Sequence, residues 1–225
     1  MNPTGRPDPE LQAALYVNET LGPRLLVVDA SERFLYLANW ESNDVSAYRI
    51  DAASGSLTPV GGSPFPVGRH PRSVALHPSG AYLYASNWDS DSLSAFEVDQ
   101  VTGSLTPVVG SPFPTGHHPR NMRFGPEGRV GYVANRGSGD VTVLRVDPGT
   151  GALEPLPSSP VASGPKPRSI MVDPAGRFAF TAHERTRLIS AYRIDPMDGG
   201  LTACPGSPFR VGKDPRFVSV HPTGP

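Results

Sequence analysis

The sequence predicts an all-β protein, specifically a β-propeller whose four-stranded blades follow a 48-residue repeat. The 225 residues include 24 glycines and 27 prolines, roughly twice the usual share, which argues against long helices. A hydrophobic share of 37% still provides a core. The period is set by a Pro-Arg pair that recurs every 48 residues without insertion, at Arg24, Arg72, Arg120, Arg168 and Arg216.

Each repeat is predicted to contain four short strands, which in residues 71–118 cover 73–77, 81–87, 92–99 and 104–108. Turn residues such as Pro78-Ser79-Gly80 and Thr102-Gly103 separate them. The third strand, LSAFEV at 93–98, is apolar on both faces, as a blade between two neighbours requires. The GSPFP linker predicts a surface crossover whose phenylalanine packs between blades, at Phe65, Phe113 and Phe209.

We predict one propeller domain over residues 1–225. It has full repeats at 23–70, 71–118, 119–166 and 167–214, and partial repeats at 1–22 and 215–225. The head contains one plausible strand, 11–17, and the tail one inner strand. With about 4.7 repeats, we expect an open arc rather than a closed five-bladed ring. An open arc exposes apolar faces and strand edges, which predicts self-association.

Composition excludes several classes of function. A net charge of −1 gives no general attraction to nucleic acid or to an anionic membrane. Cys204 is the single cysteine, so neither an intrachain disulfide nor a cysteine-based metal site is expected. The segment from His183 to Arg187 (HERTR) has arginine where a zinc-binding helix needs a second histidine, so neither a metal nor another cofactor is predicted. Without a leader or a long apolar run, the chain is expected to be cytoplasmic.

Candidate site residues lie on one face, because the linker entering strand one and the loop after strand two meet at the same end of a blade. The repeated arginines gather there with His70, His117 and His118, and such a basic rim suits a small anion. A residue repeated in every blade more often has a structural role, so a position where the repeat is broken is the better guide to a functional site. Glu184 is the clearest such position. It is interpreted as a base, as an electrostatic anchor, or as a solvated carboxylate paired to Arg168 or Arg187.

The repeats, such as GSPFPTGHHPRNMRFGPEGRVGYVANRGSGDVTVLRVDPGTGALEPL at 110–156, resemble those of the seven-bladed lactonase-type propellers. That family includes propeller-type 6-phosphogluconolactonases and the fungal 3-carboxymuconate-lactonizing enzyme. The resemblance covers about residues 23–225. It implies a metal-independent site in which a histidine, two arginines and a glutamate handle a lactone or its ring-opened acid.

Residue by residue, Arg168 fits the family's Gly-Pro-Arg-His arginine, although Ser169 replaces the histidine. Glu184 fits the glutamate of Asn-Glu-Leu, although His183 replaces the asparagine, and Arg216 fits the arginine of the next blade. The family's Pro-His-Ala histidine falls at Arg120, so His117 or His118 would have to stand near it.

The resemblance implies a lactone hydrolase acting on a small anionic lactone or sugar acid. Arg168 and Arg216 would bind the anionic group and stabilise the oxyanion, while Glu184, or His183 in its place, would act on water. Further substrate contacts are predicted from Arg72, Arg120 and His118. Two alternatives stay open, a non-catalytic binding scaffold and a muconate-type cycloisomerase.

Overall fold

The computed structural model describes residues 22–216, and every regular element in that range is a β-strand. Blade 1 contains β1 (Pro23–Val28), β2 (Phe34–Asn39), β3 (Asp44–Ile50), β4 (Leu57–Pro59) and β5 (Phe65–Pro66). Blade 2 contains β6 (Pro71–Leu76), β7 (Tyr82–Asn87), β8 (Ser92–Val98), β9 (Leu105–Pro107) and β10 (Phe113–Pro114). Blade 3 contains β11 (Pro119–Phe124), β12 (Val130–Asn135), β13 (Asp140–Val146), β14 (Leu153–Pro155) and β15 (Val161–Ala162). Blade 4 contains β16 (Pro167–Val172), β17 (Phe178–His183), β18 (Leu188–Ile194), β19 (Leu201–Ala203) and β20 (Phe209–Arg210).

Each blade is an antiparallel meander of four strands, as the repeat predicts, with a two-residue strand added from the linker. In blade 2 the four strands begin and end within two residues of their predicted bounds. The added strand β10 pairs Phe113 with Leu93 beside β9, so the linker extends the sheet before it crosses to the next blade. The serine of the linker fixes this position, because Ser111 Oγ accepts the backbone N–H of Ala95 at 2.9 Å.

The turn between the third and fourth strands packs against the preceding blade. In blade 2, Asp99 accepts the N–H groups of Val101 and Thr102, which closes the turn. Gly103 then adopts a φ of 79°, and a Cβ there would lie 2.4 Å from the ring of Phe34 in blade 1. This close approach requires glycine.

The cores lie between successive blades, and each contains a buried tyrosine that bonds forward. Tyr36, Tyr84 and Tyr132 have at most 1% of their surface exposed. Their hydroxyls donate to carbonyls in the turn of the next blade, at Gly103 (3.1 Å), Gly151 (2.8 Å) and Gly199 (2.9 Å). Burial raises the pKa of all three phenols, so they remain protonated donors. Blade 4 has Phe180 at this position.

Within residues 22–216 the blades form an open arc, which confirms the prediction. Leu26 and Val28 on β1 are 52% and 40% exposed, whereas the equivalent Val74 of blade 2 is 1% exposed. Phe65 packs in the core between blades 1 and 2, as expected, but Phe209 of blade 4 is 43% exposed. The predicted strand 11–17 and the tail strand beyond residue 216 lie outside the described residues.

Nothing in the described part of the chain is a helix with the length and apolar character needed to cross a membrane.

Candidate functional site

The repeated arginines emerge at one end of the blades, which we call the rim. In blade 2, Pro71 at the start of β6 pairs with Asn87 at the end of β7, and Ser73 pairs with Ser86. Arg72 is therefore the extra residue of a β-bulge, a feature that turns a side chain away from the ladder. Arg120 and Arg168 occupy equivalent bulges in blades 3 and 4.

A buried amide supports the rim in blades 1 to 3, and His183 replaces it in blade 4. Asn87, for example, donates to Ser94 Oγ at 2.9 Å and is fully buried. His183 is equally buried, with Nδ1 2.9 Å from the carbonyl oxygen of Pro165 and Nε2 2.9 Å from Ser190 Oγ. Burial lowers the pKa of His183 and favours the neutral ring, despite the hydrogen bond to Pro165. The structure does not bring His183 into the rim site.

Glu184 lies at the centre of three guanidinium groups. Arg136 donates from Nε to its Oε2 at 2.8 Å, Arg120 approaches the same oxygen at 3.5 Å, and Arg168 donates to Oε1 at 3.3 Å. The Glu184 side chain is only 12% exposed. The interpretation of Glu184 as a solvated carboxylate is therefore wrong as to solvation, although its predicted pairing with Arg168 is present.

Burial alone would raise the pKa of Glu184, but its arginine neighbours more than reverse that effect. The hydrogen bond from Arg136 and the charges of Arg120, Arg136 and Arg168 bring the pKa below its ordinary value. Glu184 is therefore a carboxylate at neutral pH, and a weaker base than an isolated glutamate.

Blades 1 and 2 carry tryptophan where blades 3 and 4 carry Arg136 and Glu184. Trp40 stacks on His70 from the linker that leads to blade 2, with ring centroids 4.6 Å apart. Trp88 stacks on His118 in the same way, at 4.7 Å and nearly parallel. The two indoles are themselves 6.1 Å apart.

These indoles contact the arginines of the rim through cation–π geometry. Arg24 lies 4.9 Å from the Trp40 ring, and Arg72 lies between the two indoles, at 5.6 Å from Trp40 and 5.9 Å from Trp88. Arg120 and Arg136 lie 5.7 Å and 5.6 Å from the Trp88 ring.

Burial, together with the crowding of these cations, lowers the pKa of two arginines. For Arg120, burial is the main cause and the charges of Arg72 and Arg168 add to it, bringing the pKa to about 9. For Arg72 the order is burial, then the charges of Arg24 and Arg168. The rim thus holds more positive charge than Glu184 can compensate, which favours a small anionic ligand.

Other predicted residues lie at the margin of this cluster. Arg216, the last described residue, has an exposed side chain whose Nε donates to Asp214 at 2.9 Å. His118 is occupied by its stacking on Trp88, and the exposed His117 has Nδ1 2.7 Å from Asp91. Of the two arginines predicted to pair with Glu184, Arg187 makes no such contact within residues 22–216.

A groove of about 580 Å³ adjoins the cluster between the β12–β13 loop of blade 3 and the linker to blade 4, with Arg136, Gly139, Gly164 and Lys166 among its walls. Across residues 22–216, no group of histidine, cysteine, aspartate or glutamate side chains is arranged to hold a metal ion.

Arg136, Trp40 and Trp88 lie at the rim although no role was predicted for them from the sequence. A signal was available, because Arg136 stands 48 residues before Glu184 and Trp88 stands 48 residues before Arg136. Residues at one position of successive repeats face the same rim, so a change of residue type at that position marks groups that can meet.

A comparison with curated protein sequences finds no significant match. Among solved structures, a candidate 6-phosphogluconolactonase from Bacteroides fragilis superposes with a TM-score of 0.76 at 20% identity, covering 85% of this chain and 56% of that one. A protein from Lactobacillus plantarum superposes at 0.78 and 23%, covering 89% and 61%. The periplasmic gluconolactonase of Pseudomonas aeruginosa superposes at 0.54 and 22%, covering 88% and 74%.

At these identities the solved structures support the fold, and the chain spans 56% and 61% of the first two. The sequence itself matches the family model described as "Lactonase, 7-bladed beta-propeller" over residues 12–72, 26–117 and 66–166, which together exceed half of the chain. The four consecutive blades and this match agree, and the chain belongs to the seven-bladed β-propeller lactonase family.

Proposed function

We propose that this chain is a lactone hydrolase whose substrate is a small anionic lactone of the 6-phosphogluconolactone type. The observation that carries the proposal is the nearly buried Glu184 carboxylate held by Arg120, Arg136 and Arg168. Family membership supports lactone chemistry, and the uncompensated charge of the rim supports an anionic substrate.

In the proposed reaction, water attacks the lactone carbonyl carbon as Glu184 accepts a proton from that water. The carbonyl oxygen becomes an oxyanion, which guanidinium donors from Arg120 and Arg168 stabilise. When the tetrahedral intermediate collapses, the ring C–O bond breaks and the departing alkoxide takes the proton back from Glu184. The product is the open hydroxy acid, and the carboxylate of Glu184 is regenerated.

The arginines affect the two halves of this scheme in opposite directions. They make Glu184 a weaker base, because they stabilise its carboxylate form. They also supply preorganised positive charge where the oxyanion develops, a contribution that is often the larger one. We therefore propose that charge stabilisation provides more of the rate than proton abstraction does.

The test measures hydrolysis of 6-phosphogluconolactone by the purified chain against its spontaneous rate. Glu184→Gln keeps the size of the side chain but cannot accept the proton, so we expect kcat to fall about 10²- to 10⁴-fold. The matched control is Glu41→Gln, an exposed glutamate in the corresponding loop of blade 1, which should leave kcat unchanged.

Turnover by Glu184→Gln equal to that of the parent chain would contradict the proposal. No rate above the spontaneous one in the parent chain would contradict it as well, and would favour a binding scaffold.

A further inference from the structure

We infer that Arg24 and Arg72, held by Trp40 and Trp88, form a subsite that binds an oxyanion group of the ligand. We call these four residues the Trp–Arg subsite. The inference rests on the proposed function for the identity of the ligand as a lactone substrate, whose phosphate or carboxylate would occupy this subsite. Binding of the anion can be measured without turnover.

The arginines of the rim are held in two ways, by a carboxylate or by indole rings. Arg120, Arg136 and Arg168 direct N–H donors at the carboxylate of Glu184. The side chains of Arg24 and Arg72 make no hydrogen bond or ion pair with any residue in the range 22–216, and their contacts at the rim are the indole rings. Arg72 is nevertheless half-buried.

A contact with an aromatic ring leaves the N–H donors of an arginine unused. A guanidinium that lies over a ring is attracted by the face of that ring, while its five N–H donors lie in its own plane. An aromatic partner therefore keeps the arginine in place without using the donors that match a phosphate or a carboxylate. A carboxylate partner, as in blade 4, uses them.

Arg72 lies in a positively charged environment. Burial is the main cause that lowers the pKa of Arg72, and the charges of Arg24 and Arg168 add to it. An anion bound between Arg24 and Arg72 would relieve this repulsion, so that binding and the local charge favour each other. Glu184 also acts on Arg72, which places the subsite within electrostatic range of the proposed reaction centre.

The indoles are in turn fixed by neighbours that have their own partners. His70, which stacks on Trp40, has Nδ1 2.5 Å from the carboxylate of Asp89. The same carboxylate lies 3.9 Å from Nε2 of His118, which stacks on Trp88. Asp89 thus serves the histidines, and Trp40 and Trp88 act as positioning residues for Arg24 and Arg72.

The sequence provides a direct probe, because its two tryptophans are Trp40 and Trp88. Fluorescence excited selectively in tryptophan therefore arises from these two residues, and calorimetry and the arginine variants below assign the response to the subsite. The parent chain would be titrated with 6-phosphogluconate, glucose 6-phosphate and gluconate, and calorimetry would be run in parallel. We expect saturable binding of 6-phosphogluconate and of one of the other two. Glucose 6-phosphate identifies the phosphate as the bound group, and gluconate identifies the carboxylate.

Arg72→Met should weaken this binding at least tenfold, since it removes the donors and keeps an unbranched side chain. Arg72→Lys should fall between the two, because it keeps the charge and loses the planar fork. The matched control is Arg193→Met, whose arginine lies 5.4 Å from the Phe178 ring at the opposite end of blade 4 and should have no effect. Arg24→Met is the second variant if Arg72→Met does not fold.

Unchanged affinity in a folded Arg72→Met or Arg24→Met chain would overturn the inference, as would absence of binding by both methods in the parent chain. Binding without lactone hydrolysis would leave the subsite standing and remove the proposed function. Hydrolysis without an effect of Arg72→Met on affinity would do the reverse.

Discussion

The loops that follow the second strand in blades 1 and 2 differ from those in blades 3 and 4 in side-chain chemistry, while all four loops begin with the same backbone hydrogen bond. The N–H groups of Trp88, Arg136 and Glu184 all donate to the carbonyl of the residue that precedes the Pro-Arg pair, at 2.9 to 3.0 Å. On this common frame, Trp40 and Trp88 hold arginines by ring faces. Glu184 holds them by charge.

The comparison shows how a repeat protein obtains an asymmetric site from symmetric blades. The bulge at each Pro-Arg pair places an arginine at the rim in every blade, whatever its neighbours are. The loop residue then decides whether that arginine is compensated or available. One variable position per blade is therefore enough to divide the rim into a half held by aromatic contacts and a half held by ion pairs.

The largest effect is expected from Glu184→Trp, which gives blade 4 the tryptophan that blades 1 and 2 have at this position. Arg120, Arg136 and Arg168 would lose their shared carboxylate while Arg120 remains buried, so we expect a loss of about 3–5 kcal/mol in the free energy of unfolding. Urea denaturation followed by circular dichroism measures it. The exposed Glu41 is the control, and Glu41→Trp should stay within about 0.5 kcal/mol of the parent. A stability equal to the parent's in Glu184→Trp would mean that indole and carboxylate are interchangeable here.

The aromatic half is tested by Trp88→Leu, which removes the stack with His118 and the contacts with Arg72, Arg120 and Arg136. We expect the free energy of unfolding to fall by about 2 kcal/mol, since partly desolvated cation–π contacts reach that size. Trp40→Leu should cost less, because one of its two arginines, Arg24, is exposed. The reverse order of the two urea midpoints would contradict the expectation that the contacts of Trp88 stabilise the fold more than those of Trp40.

A finer comparison replaces Arg136 with lysine. Arg136→Lys keeps the charge but loses the Nε donor to Glu184 and the planar group near Trp88. We therefore expect the free energy of unfolding to fall by about 1 kcal/mol, with a lower melting temperature. Arg145→Lys, at an exposed position of β13, is the matched control and should leave the melting temperature unchanged. Equal melting temperatures for Arg136→Lys and the parent would show that Arg136 acts as a point charge only.

The smallest effect is expected from acid, and its sign follows from Glu184. Because the folded pKa of Glu184 lies below its ordinary value of 4.5, its contribution to stability is fully present above that value and is lost as the pH falls through the folded pKa. The difference in unfolding free energy between the parent and Glu184→Gln should therefore narrow between pH 6 and pH 3. A difference that is constant over this interval would mean that the carboxylate is not the stabilising group.

Most of the fold could be predicted from the sequence, because the 48-residue period repeats the strands, turns and linkers together. The short strands such as β10 were missed, since a two-residue pairing at Phe113–Pro114 leaves no periodic signal and proline suggests a crossover. The rim position of Glu184 was predictable from the break in the repeat. Its partners were not, because the contacts with Arg120 and Arg136 join different blades and depend on how these blades pack.

His183 shows the opposite limit. A histidine beside a glutamate suggests acid–base chemistry, although the family pattern has asparagine at this position. The alternation of a β-strand nevertheless directs His183 into the sheet interior, where its ring bonds to Pro165 and Ser190. The asparagines of the other blades bond in a similar way to the hydroxyls of Ser46, Ser94 and Thr142. Its substitution for asparagine is a replacement in a supporting position, which the 48-residue alignment with Asn39, Asn87 and Asn135 could have indicated.

The tyrosine hydrogen bonds couple the stability of each blade to that of the blade that follows it. Each phenol of one blade is completed by a carbonyl of the following blade, so opening the turn around Gly199 would leave Tyr132 with an unsatisfied buried hydroxyl, at a cost of about 1–3 kcal/mol. In a nearest-neighbour description, this cost belongs to the seam between two blades and not to either blade alone. Opening of a turn in one blade therefore destabilises the preceding blade. Amide exchange at Gly199, compared between the parent and a Tyr132→Phe variant, would measure this coupling.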